Sequence, residues 1–243
     1  MESAAAQPKY KRILLKLSGE ALQGDNFNGI DANKLARITQ EVASVTSLGV
    51  QVAMVVGGGN LIRGADLSAS GIDRVACDQM GMLSTVINGI ALRNAMARNS
   101  ISATLMSAIP MLGMAEPFDH VIAKERLTKG KVVIFAGGTG NPLVTTDSAA
   151  ALRGFEIEAD IVLKATKVDA VFSDDPIKNP QAKRYSHLTY DEVLEKELRV
   201  MDLNSILLCR DNNLAIRVFN MNKEGALQRI ILGDDVGTLI NNG

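Results

Sequence analysis

Short apolar runs alternate with longer segments of helical period along this chain, and that alternation restricts the fold more than any other feature. The runs Ile13–Leu17, Val50–Val56, Ala103–Met106, Lys131–Ala136, Ile161–Lys164 and Ala215–Phe219 are apolar nearly throughout. A strand buried on both faces needs that pattern, which points to a parallel sheet covered by helices. The spacing predicts a helix capped by Asp31 and closed at Gly49, a long one from about Val75 to Arg98, another following Asp147, and a last one over Glu224–Leu232. The expected architecture is a three-layer α/β/α sandwich around a mainly parallel central sheet. It is expected to form one unit over residues 9–243, behind a flexible tail at residues 1–8. Residues 167–189 carry the turn formers Asp174-Asp175-Pro176 and Asn179-Pro180, and predict a long functional loop.

Composition removes several function classes. Of 243 residues, 47% are hydrophobic, too many for a disordered chain, while 4% are aromatic, so the core must be aliphatic. The net charge of −1 lacks the basic excess of a nucleic-acid or membrane-surface protein. The longest uncharged stretch, Asn99–Ala115, falls short of the roughly 20 apolar residues of a membrane span. Met1–Pro8 has no signal-peptide pattern. Cys77 and Cys209, far apart, read as free thiols in a cytoplasmic protein.

Three of the strands run into glycine clusters: Leu17-Ser18-Gly19, Gly57-Gly58-Gly59-Asn60, and Gly137-Gly138-Thr139-Gly140-Asn141-Pro142. In an open parallel sheet all three meet at the carboxyl edge, where such folds bind ligands. Each alone is explained by a tight strand-to-helix turn. Together they favour a polyphosphate site, with backbone N–H groups aimed at an anion. Neither a Walker A sequence nor a GxGxxG fingerprint is present. His120 and His187 have no metal-ligand neighbours.

Lys16 interrupts an otherwise apolar strand directly before Ser18-Gly19. One account is a lysine snorkelling at a strand end; the other is an ammonium group on phosphate at the strand mouth. Lys164, at another strand end, supplies a second cation. Two cations with backbone donors suit phosphoryl transfer, which needs chiefly positioning and charge neutralisation. Asp147 reads as a cap or first-turn acid of its helix, a role that does not exclude its holding the two lysines in place as well.

Several segments resemble bacterial UMP kinases of the amino acid kinase family. These are Tyr10–Glu20, Gly57–Asn60 with Arg63-Gly64, Asp78-Gln79-Met80-Gly81-Met82, Gly138–Pro142, Thr145-Thr146-Asp147, Lys164–Asp169 and Phe219-Asn220-Met221-Asn222. The resemblance implies a homohexamer that transfers phosphate from Mg²⁺-bound ATP to UMP in pyrimidine nucleotide synthesis, with GTP as activator and UTP as inhibitor. It implies Lys16, Asp147 and Lys164 as catalytic residues. ATP would lie on Lys16, Leu17, Ser18, Gly19, Gly59, Arg63, Thr166, Phe172 and Asp175. UMP would lie on Gly58, Asp78, Thr139, Gly140, Asn141, Pro142, Leu143, Val144, Thr145 and Thr146. The segment Gly24, Asp25, Asn26, Phe27, Asn28 and Gly29 matches the family's effector region. Leu143-Val144 stands where relatives commonly carry bulky aromatics, and Ala170 where they carry glycine. Two other readings remain at this level: a kinase for a carboxylate or carbamate acceptor, and a catalytically silent binding protein on the same fold.

Overall fold

A computed structural model describes residues 7–24, 29–63, 69, 71–176 and 178–243. All six expected strands form. They are β1 (Arg12–Leu17), β2 (Gln51–Val56), β3 (Ala103–Ser107), β5 (Val132–Ala136), β6 (Ile161–Thr166) and β8 (Ala215–Asn220). Three short strands add to them: β4 (Glu116–Pro117), β7 (His187–Thr189) and β9 (Thr238–Asn241). Together they make one sheet in the order β4-β3-β5-β2-β1-β6-β8-β9-β7, parallel except where β8 meets β9. The expected loop over residues 167–189 is therefore shorter than its sequence suggests, since its last three residues pair with β9.

Helices cover both faces. On one side α1 (Ala32–Thr46), α2 (Arg74–Arg98) and α7 (Ala226–Ile231) pack on Ile13, Leu15, Leu17 and Met54. On the other, α3 (His120–Thr128), α4 (Thr146–Glu156), α5 (Tyr190–Glu195) and α6 (Leu203–Asp211) pack on Leu14, Val55 and Val162. This is a three-layer α/β/α sandwich. Successive side chains of a strand point to opposite faces, so Leu14 and Lys16 share the α4 side.

Local chemistry sets the helix ends. Asp31 accepts from Lys34 N at 2.9 Å and caps α1. Past its last turn, Gly49 adopts φ 82° while Gly49 N and Val50 N donate back to Thr46 O and Val45 O, a closure that favours glycine. The last helix starts later than its apolar pattern predicts. Gly225 is left-handed, and the Glu41 carboxylate accepts from Gly225 N at 2.7 Å and Leu227 N at 3.3 Å, fixing the start at Ala226.

Among the described residues α2 alone has the length and apolar composition to cross a membrane. Its buried residues Cys77, Val86, Leu92 and Met96 lie within the sandwich. Cys77 and Cys209 are both free and buried. Residues 1–6 of the expected tail lie outside the described residues.

Candidate active site

Lys16 and Lys164 are register partners on the neighbouring parallel strands β1 and β6, so both side chains leave the same face of the sheet. Beneath them α4 begins, and its first turn holds Asp147. Lys16 Nζ lies 2.6 Å from Asp147 Oδ1, and Lys164 Nζ donates to Oδ2 at 2.8 Å and to Val200 O at 2.5 Å. The three side chains are largely buried, with 8%, 15% and 16% exposure for Lys16, Lys164 and Asp147. Lys16 is therefore an ion-paired residue rather than one snorkelling to water.

Asp147 does not cap its helix. Thr145 does, accepting from the N–H groups of Asp147 and Ser148, which leaves the Asp147 carboxylate to the lysines. Burial by itself would raise this carboxyl, but the charges of Lys16 and Lys164 outweigh it and hold it below the usual carboxylate range. Burial and the like charge of Lys16 keep Lys164 below the ordinary lysine value, against the pull of Asp147. Two cations share one anion within ion-pair reach, and Asp202 acts on Lys164 from farther off, so the contact cluster itself holds one more cation than anion. That is the electrostatic condition for neutralising a transferring phosphoryl group.

The glycine clusters meet around this point. A Cβ on Gly19 would stand 2.5 Å from Gly59 N, and one on Gly57 would stand 2.9 Å from Gly19 N, so the first two clusters touch through backbone. The third is fastened to α2, where Thr85 Oγ1 accepts from Gly137 N at 2.7 Å. Leu143 takes a left-handed φ of 65° and turns the third cluster back across α2. Its N–H donates to Asp78 Oδ2 at 2.9 Å.

Two clefts open at this edge of the sheet, one reaching Thr146 beside Asp147 and the other reaching Lys164. One is lined by Gly58, Gly59, Asp78, Gly138, Val144 and Thr146, with Cys77, Gly81, Met82 and Thr85 of α2 as its far wall. Asp78 is not a helix cap, because Asp73 caps α2; its carboxylate accepts from Arg74 and Leu143. Thr139, Gly140, Asn141, Pro142, Leu143 and Thr145 lie on the surrounding loop without lining the cleft. The other cleft is lined by Lys164, Thr166, Val171, Phe172, Asp175 and Val200, among others. Ser18 and Thr166 also border a third depression with Lys34, Arg37 and Lys167. Leu17 is wholly buried, and Arg63 pairs with Glu20 at 3.3 Å, as does Lys167 at 3.1 Å.

Asp174 accepts from Asn179 and from Asp175 N, which hold its carboxyl below the usual range and make it a turn former. The described residues include no group of three or more His, Cys, Asp or Glu able to hold a metal ion. Of the effector segment, Asp25, Asn26, Phe27 and Asn28 lie outside the described residues. Its last residue, Gly29, is bonded to Asn60 in both directions.

The sequence did not single out Asp202. It caps α6 through Ser205 N and also accepts from the hydroxyls of Thr145, Ser148 and Ser205. These bonds hold its carboxyl below the usual range despite partial burial. Aspartate before an apolar helix is a recognisable cap signal, but nothing local shows the link to Thr145.

The sequence model of the amino acid kinase family matches residues 11–220. A relative from Alcanivorax borkumensis named uridylate kinase is 60% identical over 233 residues, covering 96% of this chain and 92% of the relative. A uridylate kinase from Yersinia enterocolitica is 60% identical over 235 residues, covering 97% and 95%. The crystal structure of the UMP kinase from Bacillus anthracis superposes with a TM-score of 0.94 at 42% identity, covering 96% of each chain. The UMP kinase from Ureaplasma parvum gives 0.91 at 34% identity, covering 96% of this chain and all of that one.

Proposed function

Because this chain belongs to the amino acid kinase family, we infer that its cleft transfers the γ-phosphoryl group of ATP to UMP, giving ADP and UDP. It is a nucleoside monophosphate kinase that works without a Walker P-loop. The observation that carries this reading is the Lys16–Asp147–Lys164 cluster at the carboxyl edge of the sheet, with Lys164 reaching one cleft and Thr146, next to Asp147, lining the other. Full-length relatives named for the same reaction support it.

The roles follow from the charges. Asp147 holds the two ammonium groups side by side in a largely buried place. Lys16 and Lys164 offset the negative charge spread over the oxygens of the transferring group. Backbone N–H groups from Ser18-Gly19 and from Gly58-Gly59 complete the cradle, where the absence of side chains permits close approach. Thr166, Phe172 and Asp175 line the donor cleft; Leu17, Arg63 and Gly59 complete the assignment to ATP. Gly58, Asp78, Val144 and Thr146 line the acceptor cleft, with the Thr139–Thr145 loop over it. The Asp78 carboxylate is the acceptor we assign to the ribose hydroxyls of UMP.

Magnesium enters as part of the substrate, Mg·ATP. The only carboxylate between the two lysines is already neutralised by them, and Mg²⁺ commonly keeps phosphate and water ligands with few from protein. We further propose a homohexamer, supported by the exposed apolar residues Val75, Leu83 and Ile87 on α2. Control by GTP and UTP, a cytoplasmic location, and a single catalytic unit behind residue 8 complete the reading; the two buried free thiols fit a reducing compartment.

An acceptor panel tests the assignment. ADP release from Mg·ATP is expected with UMP and not with CMP, AMP, aspartate or carbamate. Release with a carboxylate or carbamate in place of UMP would move the enzyme to another branch of the family. No release with any acceptor would leave a binding protein.

A further inference from the structure

The second glycine cluster is fastened by two side chains to which the reaction assigns no role. Asn60 follows that cluster and Asn88 sits on α2; they are 1% and 0% exposed. Their carboxamides pair reciprocally. Asn60 Nδ2 donates to Asn88 Oδ1 at 3.0 Å, and Asn88 Nδ2 donates to Asn60 Oδ1 at 2.7 Å. Each amide has one N–H left, and each gives it to a backbone carbonyl: Asn60 to Gly29 O at 2.9 Å, Asn88 to Gly57 O at 2.7 Å. Those carbonyls can only accept, which fixes which atom of each amide is nitrogen. All four N–H bonds are used.

Such a pair is sensitive to displacement from either side. Gly19 packs directly on it, since a Cβ there would stand 2.6 Å from Asn60 Oδ1. Gly29 N returns a bond to Asn60 O at 3.1 Å. One helical turn before Asn88, Thr85 holds Gly137 N. Beside it Gly58 lies against α2, where a Cβ would meet Gly81 O at 2.7 Å. The amide pair therefore fixes the 57–60 turn to α2, and through Gly19 to the end of β1 where Lys16 sits.

We propose that Asn60 and Asn88 are positioning residues for phosphoryl transfer, setting the phosphate-binding backbone against the acceptor cleft carried by α2. The inference rests on the kinase reading above. A merely structural amide pair would stabilise the fold without separating turnover from binding. A positioning pair acts on the reaction geometry, where a displacement near 1 Å costs about 10²-fold.

Asn60→Ala, Asn88→Ala and the double variant are compared with Val42→Ala, a buried apolar residue of α1 that lines neither cleft. Measured are kcat, both KM values and the thermal midpoint. Each single variant is expected to lose about 10²-fold in kcat with little change in either KM. The double variant should fall no more than about threefold below the worse single one, because paired residues act as a unit. Val42→Ala should lower the midpoint and leave kcat nearly intact. The inference is overturned if kcat falls no further than in Val42→Ala, or if the two losses multiply. Should Asn88→Ala not fold, Asn88→Ser replaces it, and wild-type kcat in that variant is equally adverse. A wild type without UMP-dependent ADP release overturns the kinase reading and this inference with it. An active wild type beside undiminished variants overturns this inference alone.

Discussion

The two clefts beside the lysines are walled by different kinds of structure. The wall proposed for the acceptor is α2, whose side chains reach across the sequence: Thr85 binds Gly137 N, Asn88 binds Gly57 O, and Asp78 binds Leu143 N. The wall proposed for the donor is largely the segment after β6, which is tied to the sheet where Val171 N donates to Thr238 Oγ1 at 2.9 Å but is held around Asp174 by short-range bonds. Asp174 accepts from its neighbour and from Asn179, and Lys178 pairs with Asp175 at 3.9 Å with 84% of its side chain exposed. A wall held by long-range bonds, those of Thr85 and Asn88 buried, keeps a fixed shape and can select an acceptor by fit. A wall of exposed local turns can yield to a nucleotide at small cost. The lysine cluster, whose Lys164 lines the second cleft, is placed instead by the register of β1 and β6.

That separation predicts where substitutions hurt. The largest effect is expected at the centre. Asp147→Asn removes the counter-ion of two buried lysines, and breaking a buried pair in this way costs about 3–5 kcal/mol. The loss should follow pH in a defined sense. A carboxyl held below its ordinary value contributes stability above that ordinary value and loses it as pH falls through the lowered one. The difference between wild type and variant should therefore be full at neutral pH and shrink in acid. It should also shrink in alkali, where Lys164, held below the ordinary lysine value, sheds its proton early. Thermal melts across pH would read this. A difference independent of pH would mean that Asp147 acts only through packing.

Next in size is selection at the acceptor wall. A site built on a hydroxyl rejects the analogue lacking it by roughly 10⁴ when fully buried. The Asp78 side chain is 21% exposed, so the preference for UMP over dUMP should be smaller than that ceiling. Asp78→Ala should shrink it chiefly by damaging UMP use. An unchanged ratio of kcat/KM for the two nucleotides would remove the ribose from the Asp78 assignment.

The smallest effects compare the walls directly. Thr85→Val leaves Gly137 N without its acceptor in a buried place, expected to cost about 1–3 kcal/mol. Lys178→Ala on the donor wall should change stability by less than about 0.5 kcal/mol, as exposed ion pairs do. Equal losses in urea titrations would erase the contrast between the two walls.

The same contrast explains what the amino-acid sequence discloses. A lysine inside Ile13–Leu17, glycines at the ends of apolar runs, and an aspartate after Thr145-Thr146 are local signals, so the strands and the central cluster can be read in advance. Asp147 was open between cap and counter-ion because both roles suit an aspartate in a first turn; only the Thr145 bonds decide it. Thr85 and Asn88 look like ordinary polar residues of an amphipathic helix, and their partners lie 52 and 28–31 residues away. Strands β4, β7 and β9 are two to four residues long and carry no usable period. Long-range partners, not local propensities, are what the sequence conceals.

The central claim is that the cation cluster carries the transfer, and Lys16→Met tests it most directly. Methionine fills a similar space in an apolar strand, so circular dichroism should show an intact fold. With γ-labelled ATP and UMP, the wild type should move the label into UDP. The variant should do so slower by about 10²–10³, the cost of losing one well-placed electrostatic donor. Label reaching UDP at the wild-type rate in a folded Lys16→Met protein would contradict the account.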